Sequence, residues 1–168
     1  GAAAGGVLIR ITHLIGSDHD DLLEGDGAAN RLQGGRGDDT LIGGAGDDTL
    51  IGGRGADLLI GGDGIDVADY GMSDAPVTVN MADGSAGSGD AAGDVLVGIE
   101  IVQGSIFGDV LIGDAGDNIL RGGLGADTLV GGGGFDTADY ARAETGVAVD
   151  LALGIGTAGE ALGDVLTG

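Results

Sequence analysis

Apolar residues return along this chain every nine positions. From Gly16 the sequence divides into GSDHDDLLE, GDGAANRLQ, GGRGDDTLI, GGAGDDTLI, GGRGADLLI and GGDGIDVAD, a run that ends at Asp69. A second run starts at Gly104 with GSIFGDVLI, GDAGDNILR, GGLGADTLV and GGGGFDTAD, and ends at Asp139. Isolated nonads start at Gly1, Gly89 and Gly159. Over these 13 nonads position 8 is Leu in eleven and Ala in two, Ala68 and Ala138. Position 6 is Asp in ten, Asn at Asn30 and Asn118, and Gly only at Gly6. Positions 7 to 9 are rich in Thr, Leu, Ile and Val, which suit a short strand. Neighbours in a strand point to opposite faces. Position 8 therefore faces inward, and Leu23, Leu32, Leu41, Leu50 and Leu59 form a thin core. Positions 7 and 9, with Arg31, Thr40, Glu24 and Gln33, face outward. Positions 1 to 6 must turn the chain, and their glycines reach backbone angles closed to other residues.

A longer repeat lies over the nonads. GGVLIRITHLIGSDHDDLL at Gly5 returns as GDVLVGIEIVQGSIFGDVL at Gly93, an offset of 88, and GDVL returns again at Gly163, an offset of 70. The offsets differ by 18, which is two nonads, so the structural unit is a coil of 18 residues made of two half-coils. Between the runs lie two matching inserts, each with an alternating stretch: Val77 to Met81 and Val147 to Leu151. Alternation at period two predicts a half-buried strand, and the glycines that follow predict a turn. The segments Arg10 to Ile15 and Gly98 to Gln103 read as shortened half-coils. The chain thus divides into a degenerate first coil (1–15), a first run (16–69), an insert with a strand (70–88), a short coil (89–103), a second run (104–139), a second insert (140–158) and the start of a further repeat (159–168). Starting and stopping inside a repeat, it reads as part of a longer protein.

Strands about 4.8 Å apart place position-6 residues 18 apart one above the other. Asp39 stands over Asp21, Asp57 over Asp39, and Asp66 over Asp48. Carboxylates this close repel unless a cation lies between them. The formal net charge of −22 strengthens that demand, and it opposes contact with nucleic acid or an anionic membrane. Glycine supplies 41 of 168 residues and aromatics only 2%, too few for an ordinary packed core. Folding is therefore expected to be coupled to metal binding. Cysteine is absent and the two histidines are unclustered, which disfavours zinc. Carboxylates with backbone carbonyls suit Ca²⁺, whereas Mg²⁺ prefers to keep its water. No apolar run approaches the roughly 20 residues of a membrane span, and no signal peptide opens the chain. There is no Ser–His pair, phosphate loop or carboxylate in an evident apolar pocket, so no catalytic site is expected. His13 reads as filler. Tyr70 and Tyr140 read as packing caps where Ala68 and Ala138 exhaust the leucine column. Glu100, matched by Thr12, reads as a turn cap. Asp66 reads as the end of its column, and Asp94 pairs with Asp109 across the short coil.

These nonads resemble the RTX (repeats-in-toxin) family, whose pattern is G-G-x-G-x-D-x-U-x. The resemblance covers nearly the whole chain and is strongest over Gly34 to Asp69 and Gly122 to Asp139. It implies an all-β fold, a parallel β-roll or β-solenoid, with Ca²⁺ held between turns of successive coils. The ligands it implies are the carbonyls of positions 2 and 4 and the Asp of one turn, with the carbonyls of positions 1 and 3 and the Asp of the turn 18 residues on. Carried over, one site joins Gly35, Gly37 and Asp39 to Gly52, Arg54 and Asp57. A second joins Gly44, Gly46 and Asp48 to Gly61, Asp63 and Asp66. A third joins Ser17, His19 and Asp21 to Gly34, Arg36 and Asp39. A fourth joins Asp26, Ala28 and Asn30 to Gly43, Ala45 and Asp48. The second run implies Ser105, Phe107 and Asp109 with Gly122, Leu124 and Asp127, and Asp114, Gly116 and Asn118 with Gly131, Gly133 and Asp136. That makes about six ions. Asn30 and Asn118 keep an oxygen but lose a charge, and Gly6 offers no side chain. The resemblance further implies a bacterial protein exported by type I secretion, folding outside the cell or on its surface where calcium is plentiful. The expected role is structural rather than enzymatic. Alternatives are a self-assembling adhesin or surface-layer element, associating through open coil ends, and an accessory module of a secreted polysaccharide-modifying enzyme.

Overall fold

The computed structural model describes residues 11–168; Gly6 and the rest of 1–10 lie outside the described residues. The described residues form short strands joined by glycine turns, with two single 3₁₀ turns and no α-helix. The strands β1 (His13–Ile15), β3 (Arg31–Arg36), β5 (Thr49–Arg54), β7 (Val67–Asp69), β11 (Ile101–Gln103), β13 (Ile119–Arg121) and β15 (Thr137–Ala138) stack in that order as one sheet. The opposite sheet runs through β2 (Leu22–Glu24), β4 (Thr40–Ala45), β6 (Leu58–Asp63), β10 (Val95–Val97), β9 (Ser85–Gly87), β8 (Thr78–Asn80), β12 (Val110–Ile112), β14 (Thr128–Val130), β18 (Val165–Thr167), β17 (Ile155–Ala158) and β16 (Ala148–Asp150), from one end to the other. Within the runs the pairing is parallel and steps by 18 residues: His13 pairs with Arg31, Arg31 with Thr49 and Thr49 with Val67. This is the expected parallel β-roll, with successive half-coils alternating between the two sheets.

Position 8 fills the space between the sheets. Leu32, Leu41, Leu50, Leu59 and Leu111 are fully buried, and Leu120 and Leu129 nearly so. The apolar column runs on through Val79, Leu96 and Val102, which carry it across the insert and the short coil. The strands differ from expectation in length. In β3 to β6 they extend beyond positions 7 to 9 through position 3 of the next nonad, whereas β12, β13 and β14 stop at position 9. The extension occurs where two stacked coils both carry Gly-Gly at positions 1 and 2, as in Gly35↔Gly53 and Gly44↔Gly62. There the backbones touch directly: a Cβ on Gly53 would strike the carbonyl of Gly35. Where Ser105 or Asp114 holds position 2 on one of the two coils, the approach is as close, with the Ser105 carbonyl beneath Gly123 and that of Asp114 beneath Gly132, but the strand pairing stops at position 9.

The alternating stretches of the inserts form β8 and β16, as expected, and each turns back as an antiparallel hairpin, β8–β9 and β16–β17. The first hairpin does not loop out. It is spliced into the second sheet between β10 and β12, pairing Thr78 with Val110 on one side and Ser85 with Val95 on the other. The first sheet passes straight from β7 through β11 to β13. This splice moves the register away from multiples of nine, with consequences for the carboxylates.

Candidate metal-binding turns

The position-6 side chains line up in two columns along the roll. In one, the amide of Asp21 donates to Oδ1 of Asp39 and that of Asp39 to Oδ1 of Asp57, each at 2.8 Å. In the other, Asn30 donates to Asp48 at 2.7 Å and Asp48 to Asp66 at 2.8 Å. The second run repeats the pattern with Asp109 to Asp127 at 2.8 Å and Asn118 to Asp136 at 3.0 Å. Each carboxylate thus spends one oxygen on the amide of the coil below.

The second oxygen separates two kinds of turn. Oδ2 of Asp39, Asp48, Asp57, Asp66 and Asp127 is buried with no hydrogen-bond partner. A buried ionised oxygen without a partner is costly. All five belong to turns that open with Gly-Gly. The position-2 glycines of those turns, Gly35, Gly44, Gly53, Gly62 and Gly123, have φ of 122°, 109°, 104°, 120° and 98°, angles that other residues rarely adopt. Within the two runs, where position 2 is not glycine, its amide bonds the position-6 side chain instead. Ser17 donates to Asp21 Oδ2, Ser105 to Asp109 Oδ2, Asp26 to Asn30 Oδ1 and Asp114 to Asn118 Oδ1, at 2.5, 2.6, 2.7 and 2.7 Å. The residue at position 2 therefore sets whether an oxygen is free, a signal visible in the sequence that the position-6 tally passes over.

The carbonyls sort in a similar way. The carbonyl of Gly52 and Oδ2 of Asp39 converge on Gly34, at 2.7 Å from where a Cβ would stand in the case of Gly52. Gly61 and Asp48 converge on Gly43 in the same way, and Gly122 and Asp109 on Gly104. Position 1 must be glycine because a Cβ would fill the space these oxygens face. The carbonyls of positions 2 and 3 are engaged in the ladder. Ser17 O accepts from Arg36 N at 3.2 Å, Asp26 O from Ala45 N at 3.0 Å, Arg54 O from Gly37 N at 3.0 Å and Asp63 O from Gly46 N at 2.8 Å. A carbonyl has a second lone pair, so these bonds do not bar a further ligand. The position-4 carbonyl of Gly37 lies beneath Gly55, and that of Gly46 beneath Gly64. Among the described residues no three His, Cys, Asp or Glu side chains gather as a metal cluster. Any ion here is held by two carboxylates and main-chain oxygens, a hard-oxygen set that fits Ca²⁺.

Burial pushes the carboxyls of Asp39, Asp48 and Asp109 above the usual range. It lifts Asp57 and Asp66 to about 6, and Asp94 and Asp127 to about 7, with neighbouring carboxylates adding to the effect. A second acidic ladder runs along the exposed rim. Asp20, Asp38, Asp47 and Asp117, all at position 5, accept the amides of Asp38, Ala56, Ile65 and Phe135 one coil on. The doubled Asp-Asp of several nonads is its trace in the sequence. Arg36 and Arg54 are exposed and pair with Asp18 and Asp74, whereas Arg121 is largely covered and bonds Asp139.

At the inserts the columns depart from nonad arithmetic. Asp94 does not pair with Asp109. The amide of Asp57 donates to Asp94 at 2.8 Å, and the amide of Val77 takes the place below Asp109, at 2.7 Å. The spliced hairpin supplies Val77 where a nonad would have supplied its sixth residue. Nor does Asp66 end its column, since its amide donates to Glu100 at 2.9 Å. Tyr70 is buried, as a packing cap should be, but its hydroxyl also donates to Asp94 Oδ2 at 2.9 Å. Tyr140 does the same to Asp164 at 2.6 Å. Burial and the Asp94 charge push the Tyr70 hydroxyl well above its usual range, so it remains a donor. Tyr70→Phe removes the partner of a buried carboxylate oxygen and is expected to destabilise the fold by about 1–3 kcal/mol. Thermal melting in saturating calcium measures this, and an unchanged melting temperature would show that the hydroxyl contributes nothing.

Compared with known proteins, the chain matches one family model, the RTX calcium-binding nonapeptide repeat (4 copies), over residues 15–50, 33–68 and 103–138, more than half its length. No curated protein matches it.

Proposed function

Because the chain belongs to the RTX calcium-binding nonapeptide repeat family, we propose that this calcium-binding β-roll is a structural module of a secreted or surface protein, folding on calcium outside the cell. The observation that carries the reading is the set of five buried Oδ2 atoms without partners, each in a turn that opens with Gly-Gly. The strongest sites on this reading are the ones that join Asp39 to Asp57 and Asp48 to Asp66. Sites built on Asp21, Asn30, Asp109 and Asn118 are weaker, because an amide at position 2 already holds the side-chain oxygen and, at the two Asn residues, a charge is missing. The family is calcium-binding and structural; that this chain has no catalytic activity of its own is part of the proposal, as is its export by type I secretion. No helix among the described residues is long and apolar enough to cross a membrane.

The calcium reading itself is tested by calorimetric titration of the metal-stripped chain. Saturable uptake of several ions is expected, with the full set near six on the spacing of the turns. A chain that takes up no calcium at millimolar concentration would overturn it.

A further inference from the structure

Gly98, Ile99 and Glu100 do in three residues what six residues do in every full turn. The amide of Ile101 donates to Asp66 O at 2.9 Å, as that of Leu58 donates to Asp39 O at 2.8 Å. The amide of Ile119 then donates to Glu100 O at 2.9 Å, as that of Thr128 donates to Asp109 O at 2.8 Å. The main chain of Glu100 thus stands at position 6 of the short coil. Its side chain follows suit: Glu100 Oε2 accepts the Asp66 amide at 2.9 Å, where Asp57 Oδ1 accepts the Asp39 amide at 2.8 Å. Gly98 stands at position 1. Its carbonyl converges with Asp66 Oδ2 on Gly61, just as the carbonyl of Gly52 converges with Asp39 Oδ2 on Gly34. Asp66 is 0% exposed and its Oδ2 has no partner.

We infer that Asp66 Oδ2, the Glu100 carboxylate and the Gly98 carbonyl form a further calcium site, joining the first run to the short coil that leads into the second. It rests on the calcium reading of the regular turns. Neither Gly98 nor Glu100 lies within a matched repeat, because a segment of three residues cannot match a pattern of nine. The choice of glutamate follows from the shortening. Glu100's own amide donates back to Asp66 O at 3.2 Å, whereas Asp57's is directed to a side chain of the next coil. The extra methylene returns the carboxylate to the position an aspartate holds in a full turn. Ile99, 5% exposed, anchors the segment in the core. The site closes the second column across the junction at the place where the nonad pattern lapses.

The test counts calcium per chain by elemental analysis after gel filtration at fixed free calcium, for the wild type, Glu100→Gln and Glu100→Asp. Glu100→Gln keeps the acceptor for the Asp66 amide and the length, but removes the charge. It is expected to bind one ion fewer, or to raise the midpoint of one ion at least tenfold, with the circular dichroism in saturating calcium unchanged. Glu100→Asp keeps the charge but loses the reach, and is expected to lose the same ion. It carries the test should Glu100→Gln fail to regain the wild-type spectrum. If the wild type binds calcium and both variants bind as many ions at unchanged midpoints, the Glu100 site is overturned while the calcium reading stands. If the wild type binds none, the calcium reading itself fails.

Discussion

Stripped of calcium, the chain is expected to lose most of its β-structure and to regain it in millimolar calcium. The apolar core is a single column of leucines with few aromatics beside it, under a formal net charge of −22. Ordering 41 glycines costs more backbone entropy per residue than any other composition would. Five buried carboxylate oxygens have no hydrogen-bond partner among the described residues, and an uncompensated buried charge opposes folding strongly. A divalent cation between coils converts that repulsion into attraction, so binding free energy becomes folding free energy. Magnesium at equal concentration is expected to do much less, since it holds its water and its octahedron tightly. Acid is expected to substitute in part. The carboxyls of Asp57, Asp66, Asp94 and Asp127 stand near 6 to 7 in the fold against an ordinary 3.8. The folded form therefore binds protons more readily than the unfolded one. Its metal-free stability is greatest below about pH 4 and is lost as pH rises through 6 to 7. Far-ultraviolet circular dichroism of the stripped chain, with calcium, with magnesium and across that pH window, measures all three. An identical folded spectrum with and without chelator would show that the stack holds itself together without ions.

Asp48→Ala is expected to remove two calcium ions, and Asp21→Ala at most one. Asp48 sits in the middle of its column: Oδ1 receives the Asn30 amide, its own amide donates to Asp66, and Oδ2 is unpartnered. On the proposed calcium reading its carboxylate serves the site below, with Asn30, and the site above, with Asp66. Losing it also leaves the buried Asn30 amide without an acceptor, a cost of about 1–3 kcal/mol. Asp21 stands at the lower end of its column among the described residues, with Oδ2 already bonded by Ser17. Asp66 is not an end to compare with, because Glu100 continues the column above it. Ions counted per chain by calorimetry or elemental analysis give the result. Equal losses from Asp48→Ala and Asp21→Ala would mean that ions are not shared between stacked coils.

Periodicity alone determined the frame of this protein. Nine-residue spacing put leucine at position 8 of all but two nonads and so defined the core, because a strand alternates its faces. The offsets of 88 and 70, differing by two nonads, implied a coil of 18, and the observed steps from His13 to Arg31 to Thr49 have that spacing. The stacking of Asp39 on Asp21 and of Asp66 on Asp48 followed from the same count, since parallel strands repeat identical side chains at one height. Tertiary structure decided what happens where the count breaks. The amides below Asp94, Asp109 and Glu100 come from Asp57, Val77 and Asp66, across separations of 37, 32 and 34 residues. A hairpin spliced into one sheet and bypassed by the other produces such separations, and no local pattern encodes them. Whether a given carboxylate oxygen is free can be read from position 2 within the runs, but at the inserts only the tertiary structure decides it. It depends on which way the position-2 amide points, hence on the sign of one backbone angle, and at Asp94 on a tyrosine 24 residues away.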